Sequence, residues 1–293
     1  MFSRFLVVAN RSAGSADEER LAAAVERLER AGPVAVARTG SAAEIDGALE
    51  GAGDGLVVVA GGDGSVHAVV GRMAARGLLG SLPLALVPLG TGNDLARGVG
   101  IPLDPSDAAG LAASGAPARP IDLVVDDAGG VVVNAAHAGL GAEAAERASD
   151  LKDALGPLAY PLGALIAGVR ESGWDLEVEV DGRVVHRGAA LMVGVGNGPS
   201  IGGGTELFPR AVVDDGWADV VVVTALGAGS RAAFGRALRA GRHLERDDVL
   251  SARGREVVVR GEAVRHNADG EPGDPVRERR YRVRPGAWHL VRP

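Results

Sequence analysis

The sequence of 293 residues contains no cysteine, which excludes disulfide bonds, thiolate catalysis and every metal site that depends on cysteine ligands. Lysine occurs once, at Lys152, so the glycine-rich loop that ends in Lys and Ser or Thr in P-loop NTPases cannot be present. Aromatic residues make up only 3% of the chain, and the hydrophobic content of 46% therefore comes mainly from Ala, Val and Leu. The composition predicts a globular protein of about two domains, with any metal held by oxygen or histidine ligands.

A basic surplus is also missing, because the formal net charge is −7. This balance argues against a general nucleic-acid-binding protein, since such proteins neutralise phosphates with a basic surface. The uncharged stretch 154–169 has 16 residues and contains two prolines, whereas about 20 apolar residues are needed to cross a bilayer. The N-terminus shows no signal-peptide cleavage pattern. We therefore expect a cytoplasmic protein that is at most peripheral on the inner face of a membrane.

The first 122 residues alternate short apolar runs with helical patterns. The runs at 5–9, 34–37, 56–60 and 84–87 are unbroken, as expected for parallel strands that helices cover on both faces. Helical spacing of apolar residues follows the first run behind Asp17 and Glu18, whose charges suit a helix N-terminus. Helical segments at 42–49 and 66–75 fill the next two connections. The pattern predicts a doubly wound α/β domain whose ligands bind at the carboxyl ends of the strands.

Residues 123–285 have a different character, because turn signals replace most of the connecting helices. Apolar runs at 123–125, 131–133, 176–180, 184–186, 191–195, 220–223 and 256–259 predict strands, and Asp181-Gly182 between two of them is typical of a type I′ hairpin turn. Two helical insertions are expected, at about 142–169 and 230–244. This second domain is predicted to be mainly antiparallel, and the tail at about 286–293 is expected to return to the first domain.

The residues that point most strongly to chemistry follow the third predicted strand. There Gly61-Gly62-Asp63-Gly64-Ser65 comes directly after the apolar run 56–60. Glycines let backbone N–H groups approach phosphate oxygens, and the next helix offers the positive end of its dipole. Asp63 would repel phosphates unless a divalent cation lay between them, which favours a magnesium role. The structural alternative is a plain strand-to-helix turn capped by Ser65.

The other strands of this domain end in similar residues. Pro88 to Ala96 follows the fourth strand and contains Thr91 and Asn93, which can bind phosphate or base, and Asp94, which can cap a helix. The first strand ends in Asn10-Arg11-Ser12-Ala13-Gly14, and the second ends in Thr39-Gly40. Because the carboxyl ends of parallel strands share one edge of the sheet, these loops predict a single phosphate-binding rim.

Several segments resemble the diacylglycerol kinase catalytic family, which includes bacterial lipid kinases and sphingosine kinases. Gly61 to Ser65 is similar to the GGDGT signature, and Pro88 to Ala96 to the P-x-G-T-x-N-D-x-A segment. Further matches follow in the family's order at 119–122, Asn134, Gly139, 197–199, 202–204, 209–219 and 269–271. The resemblance implies a nucleotide-binding α/β domain followed by an antiparallel β-sandwich, with ATP and Mg²⁺ used to phosphorylate a lipid hydroxyl.

The resemblance also implies roles for individual residues. Glu271 is similar to the family's proton acceptor, and Asp63 would act through magnesium. Val212, Asp215 and Trp217 match by spacing the ligands of a structural magnesium loop, in which one carboxylate and two backbone carbonyls hold the ion. The implied ATP contacts are Asn10, Arg11, Ser12, Ala13, Gly14, Thr39, Gly61, Gly62, Asp63, Gly64, Ser65, Thr91 and Asn93. Without the resemblance, Asp269-Gly270-Glu271 would be an ordinary surface turn, and the segment 209–217 a type I turn with solvated aspartates.

Three positions depart from the family pattern. Arg11 stands where a proline is frequent, and His67 and Ala68 replace an Asn-Glu pair. Two alternatives to a diacylglycerol-type kinase therefore stay open. One is a NAD kinase, which shares the Gly-Gly-Asp-Gly loop, and the other is a silent nucleotide-binding regulator of the same fold.

Two features bear on a lipid partner. Arginines alternate at 280, 282 and 284 and crowd one helical segment at 231, 236, 239 and 242, where they could face phospholipid headgroups or simply solvent. The apolar run 155–169, with Tyr160, could wall an acyl-chain pocket or close the core. We expect a peripheral protein that meets its lipid substrate at the membrane surface, and an exposed strand edge in the second domain leaves a homodimer open.

Overall fold

A computed structural model of the protein describes residues 2–11, 14–139 and 173–293. The chain divides into two compact units, one formed by Met1–Leu123 with Arg284–Pro293 and the other by Val124–Val283. The expected helical insertion at about 142–169, and with it the apolar run 155–169 and Tyr160, lies outside the described residues. None of the described helices is long and apolar enough to span a bilayer.

The first unit is an α/β domain built on a parallel sheet with the strand order β2 (Val34–Thr39), β1 (Phe5–Asn10), β3 (Leu56–Gly61) and β4 (Leu84–Pro88). The end of the last strand of the chain, β14 (Glu271–Val291), joins β4 in parallel at Leu290. This arrangement confirms the predicted α/β class of the N-terminal domain. The helices are α1 (Ser15–Glu29), α2 (Ala42–Glu50), α3 (Asp63–Ala75), α4 (Asp94–Gly98) and α5 (Pro105–Ala113).

Burial separates the central strands of this sheet from its edge. Val57, Val58 and Val59 of β3 are essentially inaccessible to solvent, as an apolar run covered on both faces requires. Strand β2 was also predicted to be covered on both faces, but it lies at the edge of the sheet, and Val36 is 43% exposed. An apolar run alone does not distinguish a central strand from an edge strand.

The last strand is anchored to the first unit by Asp122. The Asp122 carboxylate accepts a hydrogen bond from the Gly286 N–H at 2.7 Å, and its carbonyl oxygen accepts one from Trp288 Nε1 at 3.2 Å. Trp288 is completely buried. Residues 284–293 therefore belong to the core of the first unit, although they are distant from it in sequence.

The second unit consists mainly of antiparallel strands. One row has the order β12-β11-β10-β7-β13, and β13 also pairs with β8 and β14, while β8 pairs with β9. The strands are β5 (Ala118–Asp126), β6 (Val131–Val132), β7 (Ala135–Gly139), β8 (Trp174–Val180), β9 (Arg183–Ala190), β10 (Met192–Gly196), β11 (Ala218–Val223), β12 (Val249–Gly254), β13 (Glu256–Ala268) and β14 (Glu271–Val291). The predicted β-sandwich class of this domain is confirmed.

The hairpin predicted at Asp181-Gly182 joins β8 to β9. Val180 pairs with Arg183, and the two turn residues have φ values of 48° and 78°. Positive φ at both central positions defines a type I′ turn, whose twist matches that of the flanking strands.

The helical segment predicted at 230–244 is shorter than expected. It forms α6 (Ala228–Arg239), which is followed by a separate 3-10 helix, His243–Glu245. Arg231 is buried rather than part of an exposed basic face. Arg236 and Arg239 are exposed on this helix.

Candidate functional site

The first glycine-rich loop connects β3 to α3. The N-cap residue of α3 is Gly62, whose carbonyl oxygen accepts hydrogen bonds from the N–H groups of Ser65 at 3.0 Å and Val66 at 3.2 Å. The Ser65 side chain lies over Gly61, so a Cβ atom at Gly61 would come within 2.6 Å of Ser65 Cβ. Ser65 therefore does not cap the helix through its side chain, and Gly61 is needed to make room for it.

A second loop, between β4 and α4, packs directly against the first. The Leu89 N–H donates to the Gly61 carbonyl at 3.1 Å. A Cβ atom at Gly90 would lie 2.5 Å from Gly62 Cα, and a Cβ atom at Gly62 would lie 3.1 Å from Gly90 Cα. Glycine at both positions allows the two backbones to touch, and the structure therefore brings the two predicted phosphate loops together.

Asp63 links these loops through its carboxylate. Its two oxygens accept hydrogen bonds from the backbone N–H groups of Asp94 at 3.0 Å and Leu95 at 3.2 Å. Asp63 thus caps the N-terminus of α4, a role for which the sequence had suggested Asp94. This contact gives Asp63 a structural role in the nucleotide-free chain.

Asn93 supplies a buried acceptor beside the two glycines. Its backbone is left-handed, with φ of 53°, and its Nδ2 donates to the Gly90 carbonyl at 2.7 Å. The side chain is only 7% exposed, and Oδ1 has no hydrogen-bond partner among the described residues. A buried polar atom of this kind carries a desolvation cost. Asn93 Oδ1 is therefore suited to accept a hydrogen bond from a hydroxyl or amino group of a ligand.

The ends of β1 and β2 are tied together by Arg11, which departs from the family pattern. The Arg11 N–H donates to the Thr39 carbonyl at 2.9 Å, and its guanidinium lies 2.6 Å from the Glu44 carboxylate. The other Glu44 oxygen accepts from the Gly40 N–H at 2.7 Å, while the Glu44 N–H donates to Ser41 Oγ at 3.3 Å. Ser41 is thus the N-cap residue of α2, and the Glu44 side chain reaches back one residue further, to Gly40. These hydrogen bonds, first to Gly40 and then to Arg11, lower the pKa of Glu44.

Of the remaining predicted nucleotide contacts, Asn10 and Thr91 are exposed and Thr39 is buried. Ser12 and Ala13 lie outside the described residues. Sequence reasoning missed Arg20, which donates to the carbonyls of Pro88 and Leu89, both at 3.3 Å. It also missed the Ser41 cap of α2, although Ser41 followed three residues later by Glu44 was a readable signal.

In the second unit, Asp269-Gly270-Glu271 forms the turn between β13 and β14. Asp269 has a φ of 51°, and its carboxylate accepts three backbone hydrogen bonds, from the N–H groups of Val133 at 2.6 Å, Asn134 at 2.8 Å and Ala135 at 3.0 Å. Glu271, two residues later, is exposed. Asp269 thus fixes the turn that presents Glu271.

Asn134 and Asn197, which lie in segments matched to the family, form hydrogen bonds within the same cluster of residues. Asn197 Nδ2 donates to the Val133 carbonyl at 2.8 Å, and the N–H groups of Asn197 and Gly198 both donate to the Asn134 carbonyl at 2.8 Å. Three segments that are far apart in sequence, at 133–135, 197–198 and 269–271, therefore meet in one hydrogen-bonded cluster.

The segment predicted to hold a structural magnesium ion lies just before β11. Asp215 accepts a hydrogen bond from the Trp217 N–H at 3.1 Å through one carboxylate oxygen, and the other oxygen contacts the Arg253 guanidinium. Val212 is 48% exposed. The described residues contain no group of three or more His, Asp or Glu side chains that could hold a metal ion. The Arg253 guanidinium already pairs with the Asp215 carboxylate, which was the expected charged ligand. The donors at this loop therefore do not fit a resident divalent cation.

Each of the two units matches the profile of a known domain family. The profile of the diacylglycerol kinase catalytic domain matches residues 4–125, and that of the YegS C-terminal NAD kinase beta sandwich-like domain matches residues 134–292. A Pseudomonas aeruginosa protein named "Probable lipid kinase YegS-like" is 37% identical over 299 residues, covering 98% of this chain and 93% of that protein. The chain belongs to the diacylglycerol kinase catalytic family. A Stenotrophomonas maltophilia protein of the same name is 35% identical and covers 78% of this chain and 75% of that protein.

Solved structures support the family fold. A diacylglycerol kinase from Bacillus anthracis superposes with a TM-score of 0.81 at 23% identity, covering 100% of this chain and 98% of the other. An NAD kinase from Archaeoglobus fulgidus in complex with ATP gives a TM-score of 0.55 at 15% identity, covering 98% and 93%. This diacylglycerol kinase family member therefore shares its overall fold more closely with the B. anthracis protein than with the NAD kinase.

Proposed function

We propose that this protein is an ATP-dependent lipid kinase that transfers the γ-phosphoryl group to a lipid hydroxyl, with diacylglycerol as acceptor and phosphatidic acid as product. The observation that carries the proposal is the contact between two glycine-rich loops at the carboxyl ends of β3 and β4, together with full-length relatives named as lipid kinases. Helix N-termini and glycine-rich backbones are suited to bind phosphate oxygens.

The nucleotide is assigned to the first unit. Gly62 and Gly90 let the two loop backbones meet without side chains between them, and Asn93 Oδ1 offers a buried acceptor to a ligand N–H or O–H. Bound ATP with Mg²⁺ would supply the transferable phosphoryl group and neutralise its negative charge. Asp63 holds the two loops in register and, by the family resemblance, also faces the metal.

The acceptor chemistry is assigned to the second unit. Phosphoryl transfer has a loose transition state, so a carboxylate that orients the hydroxyl and accepts its proton is sufficient. Glu271 is exposed at the start of β14 and follows a turn that Asp269 fixes through three backbone hydrogen bonds. We assign Glu271 as the group that takes the proton, and Asp269 as a positioning residue.

The test is transfer of label from [γ-³²P]ATP, with Mg²⁺, to separate acceptors dispersed in mixed micelles: diacylglycerol, phosphatidylglycerol, a sphingoid base and, in solution, NAD. Triacylglycerol is the matched control, because it lacks a free hydroxyl. Label in diacylglycerol alone supports the full proposal. Label in another lipid supports lipid kinase activity and contradicts diacylglycerol as the acceptor. Label in NAD, or nucleotide binding without transfer to any acceptor, contradicts the whole proposal.

A further inference from the structure

An arginine of the neighbouring strand β12 contacts the loop that was expected to bind a structural magnesium ion. Asp219 in β11 and Arg253 in β12 are direct cross-strand partners. Arg253 Nε donates to the Asp219 carboxylate at 3.1 Å, and its terminal nitrogen contacts the Asp215 carboxylate. One guanidinium therefore joins the carboxylate of the loop to the carboxylate of the strand that follows it.

Burial makes this pairing consequential. Asp219 is only 8% exposed, and Arg253 Nε lies within hydrogen-bond distance of its carboxylate. A buried carboxylate needs a positive partner, and the guanidinium meets this need with a planar fork of donors.

The charge around the loop leaves little attraction for a further cation. Residues 210–219 and 253–255 together contain three aspartates and three arginines. Arg255 stacks over the Trp217 ring, with its guanidinium carbon 4.9 Å from the ring centroid. A divalent ion at Asp215 would therefore face positive side chains on the neighbouring strand, and its binding would require Arg253 to move away.

We propose that Arg253 replaces a divalent cation in this protein, so that the loop before β11 folds and keeps its shape without a bound metal. Magnesium is then required only with the nucleotide. The proposal concerns the structural loop and does not depend on which acceptor the enzyme phosphorylates.

The experiment uses the full chain, treated with EDTA and free of nucleotide, with MgCl₂ alone as the probe. Thermal unfolding and the fluorescence of Trp217 are followed with and without Mg²⁺, and Trp217→Phe identifies the contribution of Trp217 among the three tryptophans. A cation that binds only the folded loop would raise Tm by roughly 5 °C at 100 times its Kd. We expect wild type to shift by less than about 1 °C.

Arg253→Met removes the guanidinium and retains an unbranched side chain. We expect this variant to melt at a lower temperature in EDTA and to gain a Mg²⁺-dependent rise in Tm that wild type lacks, because Asp215 and Asp219 are left unneutralised. Arg187→Met is the matched control, since Arg187 pairs with Glu177 on the surface of the same unit and is 72% exposed. It should respond to Mg²⁺ as wild type does.

The proposal is overturned if wild type gains several degrees from Mg²⁺ and Asp215→Asn abolishes that gain. A gain that Asp215→Asn retains arises outside the loop and leaves the loop metal-free, as proposed. If Arg253→Met is folded and indifferent to Mg²⁺, Arg253 does not stand in for a cation and the proposal fails. If that variant cannot be obtained folded, the wild-type and Asp215→Asn responses decide.

Discussion

A single Cβ atom would decide how closely the β3–α3 loop and the β4–α4 loop can approach each other. Gly62 and Gly90 face each other across the contact, and neither position has room for a Cβ atom unless the backbones separate. The Oδ1 atom of Asn93 also lies beside this contact, since a Cβ atom at Gly90 would be 3.0 Å from Asn93 Oδ1. The geometry offered to a nucleotide thus depends on absent side chains as much as on present ones.

Gly90→Ala should weaken nucleotide binding, because its Cβ would be 2.5 Å from Gly62 Cα and the loops would have to part. We expect a fall in ATP affinity of at least about tenfold, measured by calorimetry, with a loss of stability of about 1–3 kcal/mol from the overpacked contact. Gly47→Ala in α2 is the control, because nothing lies within 4 Å of its Cβ position and alanine favours helix. Equal ATP affinity in both variants would refute the role of this contact.

Asp269 is the residue whose replacement separates positioning from chemistry. Asp269→Asn leaves one acceptor oxygen for three N–H donors, and the cost should be about 1–3 kcal/mol of unfolding free energy. We expect phosphoryl transfer to fall by at least about tenfold with the Kd for ATP unchanged, because Glu271 loses its fixed turn. Asp274→Asn, an exposed neighbour in β14, is the control. An Asp269→Asn enzyme of normal stability and rate would rule out this role.

At the scale of elements, α4 shows how one side chain sets the start of a helix in a different loop. The helix has only five residues, and the side chain of its N-cap residue, Asn93, makes no capping hydrogen bond. Asp63, at the start of α3, supplies both acceptors from 31 and 32 residues away. The two strand-to-helix connections therefore form one structural feature, and the loops should become ordered or disordered together.

Asp63→Asn should weaken α4 even when no nucleotide or metal is present. One of the two acceptor oxygens is replaced by an amide donor, so we expect a loss of about 1–2 kcal/mol, as for a removed helix cap. Hydrogen exchange of the Asp94 and Leu95 amides, in EDTA, reports the change directly. Asp54→Asn, at an 87% exposed side chain, serves as control. If Asp63 acted only through magnesium, the exchange rates of the nucleotide-free variant would equal those of wild type.

At the scale of the whole molecule, local signals in the sequence were sufficient for the fold class, and long-range contacts were not visible. The apolar run at Val57 to Val59 and the Asp181-Gly182 pair each specify their own structure through neighbours in the chain. The partners of Asp63 and Arg253 lie 31 to 38 residues away, and those of Asp269 lie 134 to 136 residues away. Folding alone determines which polar groups such residues meet, so the sequence did not predict these contacts.

The second unit also contains buried histidines that make its stability depend on pH. His266 Nδ1 is hydrogen-bonded to the Tyr281 hydroxyl at 2.8 Å, while His266 Nε2 and His137 Nδ1 are buried without a partner among the described residues. Burial lowers the pKa of His137 to about 4, and burial with the charge of Arg279 lowers that of His266 to about 4. Both rings are therefore neutral in the folded protein at pH 7.

Stability of the second unit should fall as the pH drops below about 6.5, because the unfolded histidines bind protons that the folded ones do not. Between pH 6.5 and pH 4, each histidine makes the free energy of unfolding fall by about 1.4 kcal/mol per pH unit. Above pH 6.5 it adds no such dependence. Urea unfolding at pH 7.5 to 5.5 measures this pH dependence, and His137→Gln should remove the share of one histidine from it. A free energy of unfolding that is constant over this range would show that these histidines are accessible to protons.

The central claim is that the first unit binds ATP and that Glu271 of the second unit serves the transfer of its γ-phosphoryl group to a lipid. The most direct test is the rate of label transfer to diacylglycerol by Glu271→Gln, measured beside the Kd for ATP in the same preparation, with Glu278→Gln in the same strand as control. The account predicts a rate about 10²–10⁴-fold below wild type with an unchanged Kd, and a normal rate for the control. A Glu271→Gln enzyme that transfers label at the wild-type rate would contradict it.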